Sequence, residues 1–280
     1  MNPAESRRGT VDLARRLTTT LAWGDPLLGF ADVWLPGRPG EPATASLHLS
    51  PETMTNRRLA TAVDEVQQVA PRVSVSASLP QTEIVDALTA RGFRQAGGPW
   101  FAQFWRRLAD LSDLRPHRVP GGYVVRHVRP DELTERVEVH RRCWDPVRIK
   151  QMLHLPVTGD EAGSRYTIDG HLTVVGTPIY RAELDLVVEA PDGSLAAYGL
   201  GWLDPESRSV LFEPVGTVPA HTGRGLARAL CTEMLRVARR LGAVQAVVAP
   251  RGDAAYPVPR RLYEGLGMGE VARSVPFSNA

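Results

Sequence analysis

The sequence predicts an α/β (α+β) fold in two halves, each a mixed, mostly antiparallel sheet flanked by helices. Three observations predict it. Runs of period-two alternation recur along the chain and are interspersed with runs of helical spacing. Each half contains a strand–helix–strand order, and such a crossover makes its two strands parallel within a sheet whose other strands are joined by short turns. A polar stretch with two prolines and two glycines, "DLSDLRPHRVPGG" (110–122), lies between the halves. It reads as a linker. The expected division is a first domain over 1–113, a linker over 114–122 and a second domain over 123–280.

In the first half, "ASLHLSPETM" is a strand, "RRLATAVDEVQQVA" a helix and "RVSVSAS" a strand. "QTEIVDALTARGF" is a helix that stops at Gly92, and "WFAQFWRRL" is a closing strand. In the second half, "YVVRHV" (123–128) alternates as a strand, and "DELTERVEVHRRCW" (131–144) has helical spacing with Leu133, Val137 and His140 on one side. "ELDLVVEA" (183–190) and "LAAYGLGWL" (195–203) are strands joined through "PDGS", a hairpin turn. "SVLFEPVGTV" (209–218) is a third strand. The following helix is the clearest element, because Leu226, Leu230, Met234, Val237 and Leu241 recur at steps of three and four and Gly242 ends it. "AVQAVVAP" (243–250) reads as a buried strand and "PVPRRLYEGLGM" (257–268) as a helix.

Composition sets bounds on function. The 280 residues are 43% hydrophobic and 23% charged, an ordinary globular balance. A net charge of +2 supplies no basic field for nucleic acid. No run approaches a membrane span, and the N-terminus has no apolar signal core. The two cysteines, Cys143 and Cys231, have no CxxC partner, which argues against a disulfide framework and a cysteine zinc site. A cytoplasmic protein that binds neither membrane nor metal is expected.

The stretch "EPVGTVPAHTGRGLARAL" (213–230) carries the chemistry. A glycine loop before a helix exposes backbone N–H groups that have no intrahelical partner, and these attract phosphate. Gly223 and Gly225 let the backbone approach a ligand, and Arg224 and Arg228 add charge. Pro214 cannot donate to a strand ladder. Its strand is therefore interrupted and can part from a parallel neighbour. The slot so formed suits a long ligand with a phosphate tail.

These residues resemble the acetyl-coenzyme A motif of the GNAT superfamily of N-acetyltransferases, a strand followed by Q/R-x-x-G-x-G/A and a helix. "PVGTV" is the strand, and Thr222, Gly223, Arg224, Gly225, Leu226 and Ala227 form the loop. "RRLYEGLGM" resembles the family's A-x-x-L-Y-x-x-x-G-F helix, with Tyr263 at the tyrosine position. The chain departs from the pattern at Thr222, where Gln or Arg is usual, at Tyr256, where many members have asparagine, and at Pro259, where the motif has alanine. The resemblance spans residues 121 to about 275. It implies that acetyl-coenzyme A is the acyl donor, held by Val215, Gly216, Thr217, Gly223, Arg224, Gly225, Leu226, Ala227 and Arg228. It also implies direct attack by a primary amine of a small molecule. Glu213 would be the base, Tyr263 would protonate the departing thiolate, and the N–H groups around Val215 and Gly216 would stabilise the oxyanion.

The first half reads as a faded copy of the second. No glycine occurs between Pro51 and Arg91, so the phosphate loop is missing, and aligning Gly92 with Gly267 puts Leu88 where Tyr263 stands. Plainer readings stand beside the functional ones. Glu213 can be a solvated strand residue and Tyr263 a core aromatic. Arg224 and Arg228 can be surface charge, His221 a loop residue, Trp144 and Trp202 core, and the cysteines buried thiols. The segment 145–181 is longer than a connection requires and covers the acceptor site in the family. Its Asp160, Glu161 and Asp169 could attract a cationic amine or simply be solvated. A non-catalytic acyl-coenzyme A-binding module, or an enzyme acting on peptide or protein amines, are the alternative functions.

Overall fold

A computed structural model describes residues 7–13, 16–24, 28–36, 40–49, 55–79, 81–98, 100–114, 119–152, 157, 163–164, 166–252, 254 and 256–280, with backbone alone for 7–13, 16–18 and 56. Residues 115–118 of the expected linker, and Asp160 and Glu161, lie outside the described residues. Contacts divide the chain into two compact units, Met1–Ala102 with Ala272–Ala280, and Gln103–Val271. This differs from the division at 113–123 expected from the linker composition. The C-terminal end joins the first unit, and most of the strand that closes the first half joins the second. Periodicity marks a strand but not the sheet it enters, because pairing is non-local.

The first unit begins with an antiparallel meander of β1 (Arg7–Leu13), β2 (Arg16–Trp23), β3 (Gly29–Trp34) and β4 (Ala43–Leu49). Helix α1 (Asn56–Val69) then crosses to β5 (Val73–Ser78), which pairs parallel to β4 from Ala43↔Val73 to Ser46↔Ser76. Leu59, Val63 and Val66 recur at helical spacing and are buried against Val73, Val75 and Ala77, the inward residues of β5. Helix α2 (Thr82–Thr89) adds Ile84 and Leu88 to this core, and Gly92 turns the chain away at φ +79°. A two-residue strand, β6 (Arg94–Gln95), follows. Among the described residues, no charged or polar side chain of this unit is buried.

The second unit opens with β7 (Phe101–Arg107), from residue 103 onward, and β8 (Val124–His127). Helices α3 (Leu133–Cys143), α4 (Pro146–Met152) and α5 (Ile168–Val175) precede β9 (Tyr180–Glu189), β10 (Leu195–Asp204) and β11 (Ser209–Thr217). Helix α6 (Leu226–Arg240), β12 (Gln245–Val248) and α7 (Val258–Glu264) complete it. Its strands run in the order β7-β12-β11-β10-β9-β8, and the β11–β12 pair alone is parallel among those described. Leu226, Leu230, Met234 and Val237 are buried as their spacing predicts, and Met234 lies where a side chain on Gly199 of β10 would reach, which seats α6 on the sheet. The last strand, β13 (Gly269–Ser278), pairs with β5 and β6 of the first unit through Ser274–Ser278.

Seven elements are absent from the sequence reading: the strands β1 to β3, β6 and β13, and the helices α4 and α5. Helices of seven and eight residues make about two turns, too few to establish a period. The buried face of α3 is also displaced from the expected one. It consists of Arg136, Val137, Val139 and Cys143, because Arg136 is drawn inward by Asp185 on β9. Among the described residues no helix is long and apolar enough to cross a membrane.

Candidate active site

The interruption expected at Pro214 is a β-bulge. β10 and β11 pair Gly201 with Phe212 and Gly199 with Val215, so Leu200 alone faces both Glu213 and Pro214. The parallel ladder to β12 covers only Ser209–Leu211, ending before the bulge. Val215, Gly216 and Thr217 then form one wall of a cleft. The Val218 N–H donates to Ala196 of β10 at 2.9 Å. By strand alternation Gly216 shares that edge, while the N–H groups of Val215 and Thr217 point to the cleft edge. Gly216 is required here because a Cβ would lie 2.7 Å from the Cβ of Cys143 and 3.0 Å from the ring of Tyr198. The end of α3 thus packs directly on the strand.

A 3-10 turn, Pro219–His221, leads into the glycine loop, and the Thr222 hydroxyl closes it by donating to the Pro219 carbonyl at 2.9 Å. Gly223 and Gly225 both have positive φ, +76° and +75°. Gly225 caps α6 without a side-chain hydrogen bond, so the first N–H groups of the helix remain open. Gly223, Gly225, Leu226 and Ala227 line the cleft. Arg228 lines it too, and its Nη2 donates to the Gly265 carbonyl at 2.8 Å, tying α6 to the end of α7. Arg224 is exposed and stands off the lining.

Helix α7 brings Tyr263 to the same cleft. The phenol is 5% exposed, and burial pushes its pKa well above 10, with Cys231, Glu213 and Tyr256 adding to the shift. It therefore keeps its proton through the physiological range and can act as a donor. Tyr256, raised by burial, and Pro259 line the cleft beside it. Glu213 is exposed at the bulge and does not line the cleft, although its charge is felt at Tyr263. Its carbonyl accepts a 2.6 Å hydrogen bond from Trp202 Nε1. Trp202 is half-buried and pins the bulge, a role that its expected place in the core does not include.

Other residues reach the cleft that the sequence placed elsewhere. Trp144 is 39% exposed on the lining, and His221 is there as well, with its Nδ1 2.9 Å from the Tyr123 hydroxyl. Helix α4 contributes Arg148, Ile149 and Met152. The alternation of α4 is too short to mark it, so only its place in the long segment before β9 signalled it. Asp169 is exposed in the first turn of α5, away from the lining. Cys143 and Cys231 are buried as expected, and burial pushes both thiols up to about 12. Cys143 also borders the cleft.

Behind the cleft lies a polar core. Arg136 Nε donates to Asp185 Oδ1 at 2.7 Å, both side chains being fully buried. The Arg136 guanidinium also stacks 4.3 Å above the Tyr198 ring. The Trp144 indole is a donor only and gives its N–H to the Tyr198 hydroxyl at 2.5 Å. The Tyr198 hydroxyl also shares a 2.8 Å hydrogen bond with His140 Nδ1. Burial lowers the His140 pKa to about 4, so the ring is neutral in this network. Among the described residues, no group of His, Cys, Asp and Glu side chains could hold a metal ion.

A bulged strand, an open helix head and a phenol donor in one cleft of a mostly antiparallel sheet define a GNAT-type architecture. Residues 166–268, which span most of this site, match the sequence model of the acetyltransferase (GNAT) family. No curated protein sequence matches the chain. Among solved structures, a GCN5-related N-acetyltransferase from Sphaerobacter thermophilus is similar at 18% identity, with 96% of this chain and 81% of that one covered and a TM-score of 0.64. A tandem GNAT protein from the clavulanic acid biosynthesis pathway is similar at 16% identity, over 99% of this chain and 84% of that one, with a TM-score of 0.63. A GCN5-related N-acetyltransferase from Kribbella flavida is similar at 13% identity, over 97% and 89%, with a TM-score of 0.56. At these identities the likeness is one of fold, and it extends across both halves of the chain.

Proposed function

We propose that the protein is an N-acetyltransferase that moves an acetyl group from acetyl-coenzyme A to a primary amine of a small molecule. The observation that carries this reading is the joining of the open α6 head and the free edge of Val215–Thr217 in one cleft that Tyr263 also lines. An open helix head with two positive-φ glycines suits the pyrophosphate of coenzyme A, with Arg228 adding charge. The free strand edge suits the amide-bearing arm that follows the pyrophosphate. A binding module would need these two features but not a buried phenol in the same lining.

Acetyl-coenzyme A supplies an activated thioester. The amine nitrogen bonds to the carbonyl carbon, and the carbon–sulfur bond breaks. The N–H groups of Val215 and Thr217 are the donors available to the carbonyl oxygen as it gains charge. This keeps Val215 and puts Thr217 in place of Gly216 among the expected oxyanion donors, since Gly216 shares the β10 edge. The proton lost by the amine goes to Glu213 through solvent, consistent with an exposed carboxylate just outside the lining. The Tyr263 hydroxyl gives its proton to the departing sulfur.

Release of free thiol from acetyl-coenzyme A across a panel of amines tests the reading directly. Amine-dependent release is expected, and binding of coenzyme A without release on any amine would favour a non-catalytic module. Glu213→Gln tests the base. Its kcat defect is expected to be largest at low pH, where the amine is mostly protonated, and to shrink as free amine becomes abundant. A defect of equal size at every pH would remove Glu213 from the mechanism.

A further inference from the structure

The charged side chains among the lining residues of the cleft are of one sign. Among the described residues that line it, the cationic or basic side chains are Arg148, Arg228 and His221, and no aspartate or glutamate is present. Arg228 belongs to the α6 head and is tied to Gly265. His221 lies in the turn before the glycine loop and is held by Tyr123. Both accompany the anionic end of the donor.

Arg148 belongs to a different wall. It is half-buried on α4, and its Nη1 donates to the carbonyl of Cys143 at 3.2 Å. Cys143 is the residue whose Sγ stands 3.1 Å from where a Cβ on Gly216 would be, so Arg148 is anchored beside the strand segment assigned to the thioester. Its charge is felt at Tyr256, which in turn acts on Tyr263. Asp145 caps α4 by accepting the Arg148 backbone N–H at 2.9 Å, and among the described residues no carboxylate forms an ion pair with the guanidinium. Among the described residues one of its five N–H donors is spent on a backbone carbonyl, and the rest of the fork has no protein acceptor there. Its neighbours on this wall, Trp144, Ile149 and Met152, are apolar or aromatic, which strengthens any charge pair formed among them.

We propose that Arg148 is a specificity residue for the acceptor, and that the acceptor is a primary amine that also carries a carboxylate. The planar guanidinium matches a carboxylate in a bidentate fork, and a cationic acceptor would meet only like charge in the described lining. The proposal rests on the acetyltransferase reading above. It departs from the expectation that acids of the 145–181 segment draw a cationic amine: Asp169 stands off the lining, and Asp160 and Glu161 lie outside the described residues.

The test uses matched amines: L-leucine against L-leucinamide, and 6-aminohexanoate against 6-aminohexanamide. Thiol release is read as kcat/KM per free amine, and coenzyme A affinity is measured in parallel by calorimetry. The carboxylates are expected to be preferred by about 10–100-fold, the worth of a charge-assisted hydrogen bond. Arg148→Gln is expected to remove that preference with coenzyme A affinity unchanged, and Arg148→Lys to restore part of it. The proposal is overturned by equal use of the amides, by a preference that survives Arg148→Gln, or by a loss of coenzyme A affinity in that variant, which would place Arg148 on the donor side. Thiol release with none of these amines or any other, despite coenzyme A binding, would instead overturn the acetyltransferase reading itself.

Discussion

Helices α1 and α6 each follow a strand and lead to a second strand parallel to it, yet only one of the two crossovers makes a site. The difference lies at the helix heads and in the strands before them. Thr55 closes the head of α1 by accepting the Arg58 N–H, whereas Gly225 leaves the head of α6 open. β4 pairs with β3 in unbroken register from Thr44↔Trp34 to Leu49↔Gly29, whereas β11 is bulged against β10 at Glu213 and Pro214; each leaves its parallel partner early, β4 after Ser46 and β11 after Leu211. The position of the buried Tyr263 is filled by the fully buried Leu88 in the first half. A crossover is thus a neutral scaffold. It becomes a ligand site when the helix head is left open and a bulge re-aims the strand edge beside it, and it becomes structural when a side chain caps the head and the strand runs without a bulge.

The sharpest way to test the contrast is to remove the one hydroxyl that the first half lacks. Tyr263→Phe keeps the ring and is expected to lower kcat by about 10²–10⁴-fold with little change in coenzyme A affinity. Because burial and nearby groups hold the phenol proton well above pH 10, the wild-type kcat is expected to show no loss from this group up to that pH. Steady-state kinetics over a pH series checks both, and an unchanged kcat in the variant would leave Tyr263 a core aromatic.

Closing the helix head should have a smaller but still large effect. Gly225→Asp forces a side chain into a φ of +75° and puts negative charge at the phosphate position, and coenzyme A affinity is expected to fall by about 100-fold or more. The counterpart in the other crossover, Thr55→Ala, is expected to cost about 1 kcal/mol of stability and to leave coenzyme A affinity alone. Calorimetry and denaturant melts separate the two. If Thr55→Ala weakened coenzyme A binding as much as Gly225→Asp, the two heads could not be assigned different roles.

The cores should differ in their response to acid. The first unit buries no charged or polar side chain among its described residues, whereas the second buries Arg136, Asp185 and His171 and holds His140 neutral. An ordinary histidine gains its proton near pH 6.5 when unfolded, but His140 does so only at about 4 in the fold. Between these values the unfolded chain binds more protons, so this contribution to stability is complete above about 6.5 and is lost as pH falls toward 4. His171 is lowered in the same direction, by burial and by Arg136. Hydrogen exchange is expected to show protection falling in α3, β9 and β10 before it falls in α1 and β5. A uniform loss across both units would deny the polar core this role.

Much of the site was legible because its signals are local. Tyr263 is legible only through the resemblance of a short motif to that of the GNAT superfamily, whereas the glycine loop and the interrupting proline follow from backbone rules that act within a few residues. The same is true of α6, whose apolar stripe gave both its existence and its buried face. What could not be read depends on distant partners. The turn of Arg136 into the core needs Asp185, 49 residues away. The pairing of β13 with β5 joins residues nearly 200 positions apart, and no period along the chain reports it. Arg148 entered the cleft on α4, a helix of seven residues, and Trp144 entered it at the C-terminal cap of α3. The glycine-free stretch from Pro51 to Arg91 was informative for the opposite reason, since an absent αL position is as local as a present one.

The central claim is that one crossover in the chain holds coenzyme A and the other cannot. Titration of coenzyme A into the full-length protein by calorimetry measures this directly. One binding event per chain is expected, lost in Gly225→Asp and retained in Thr55→Ala. Two events per chain, or a single event that survives Gly225→Asp, would contradict the claim.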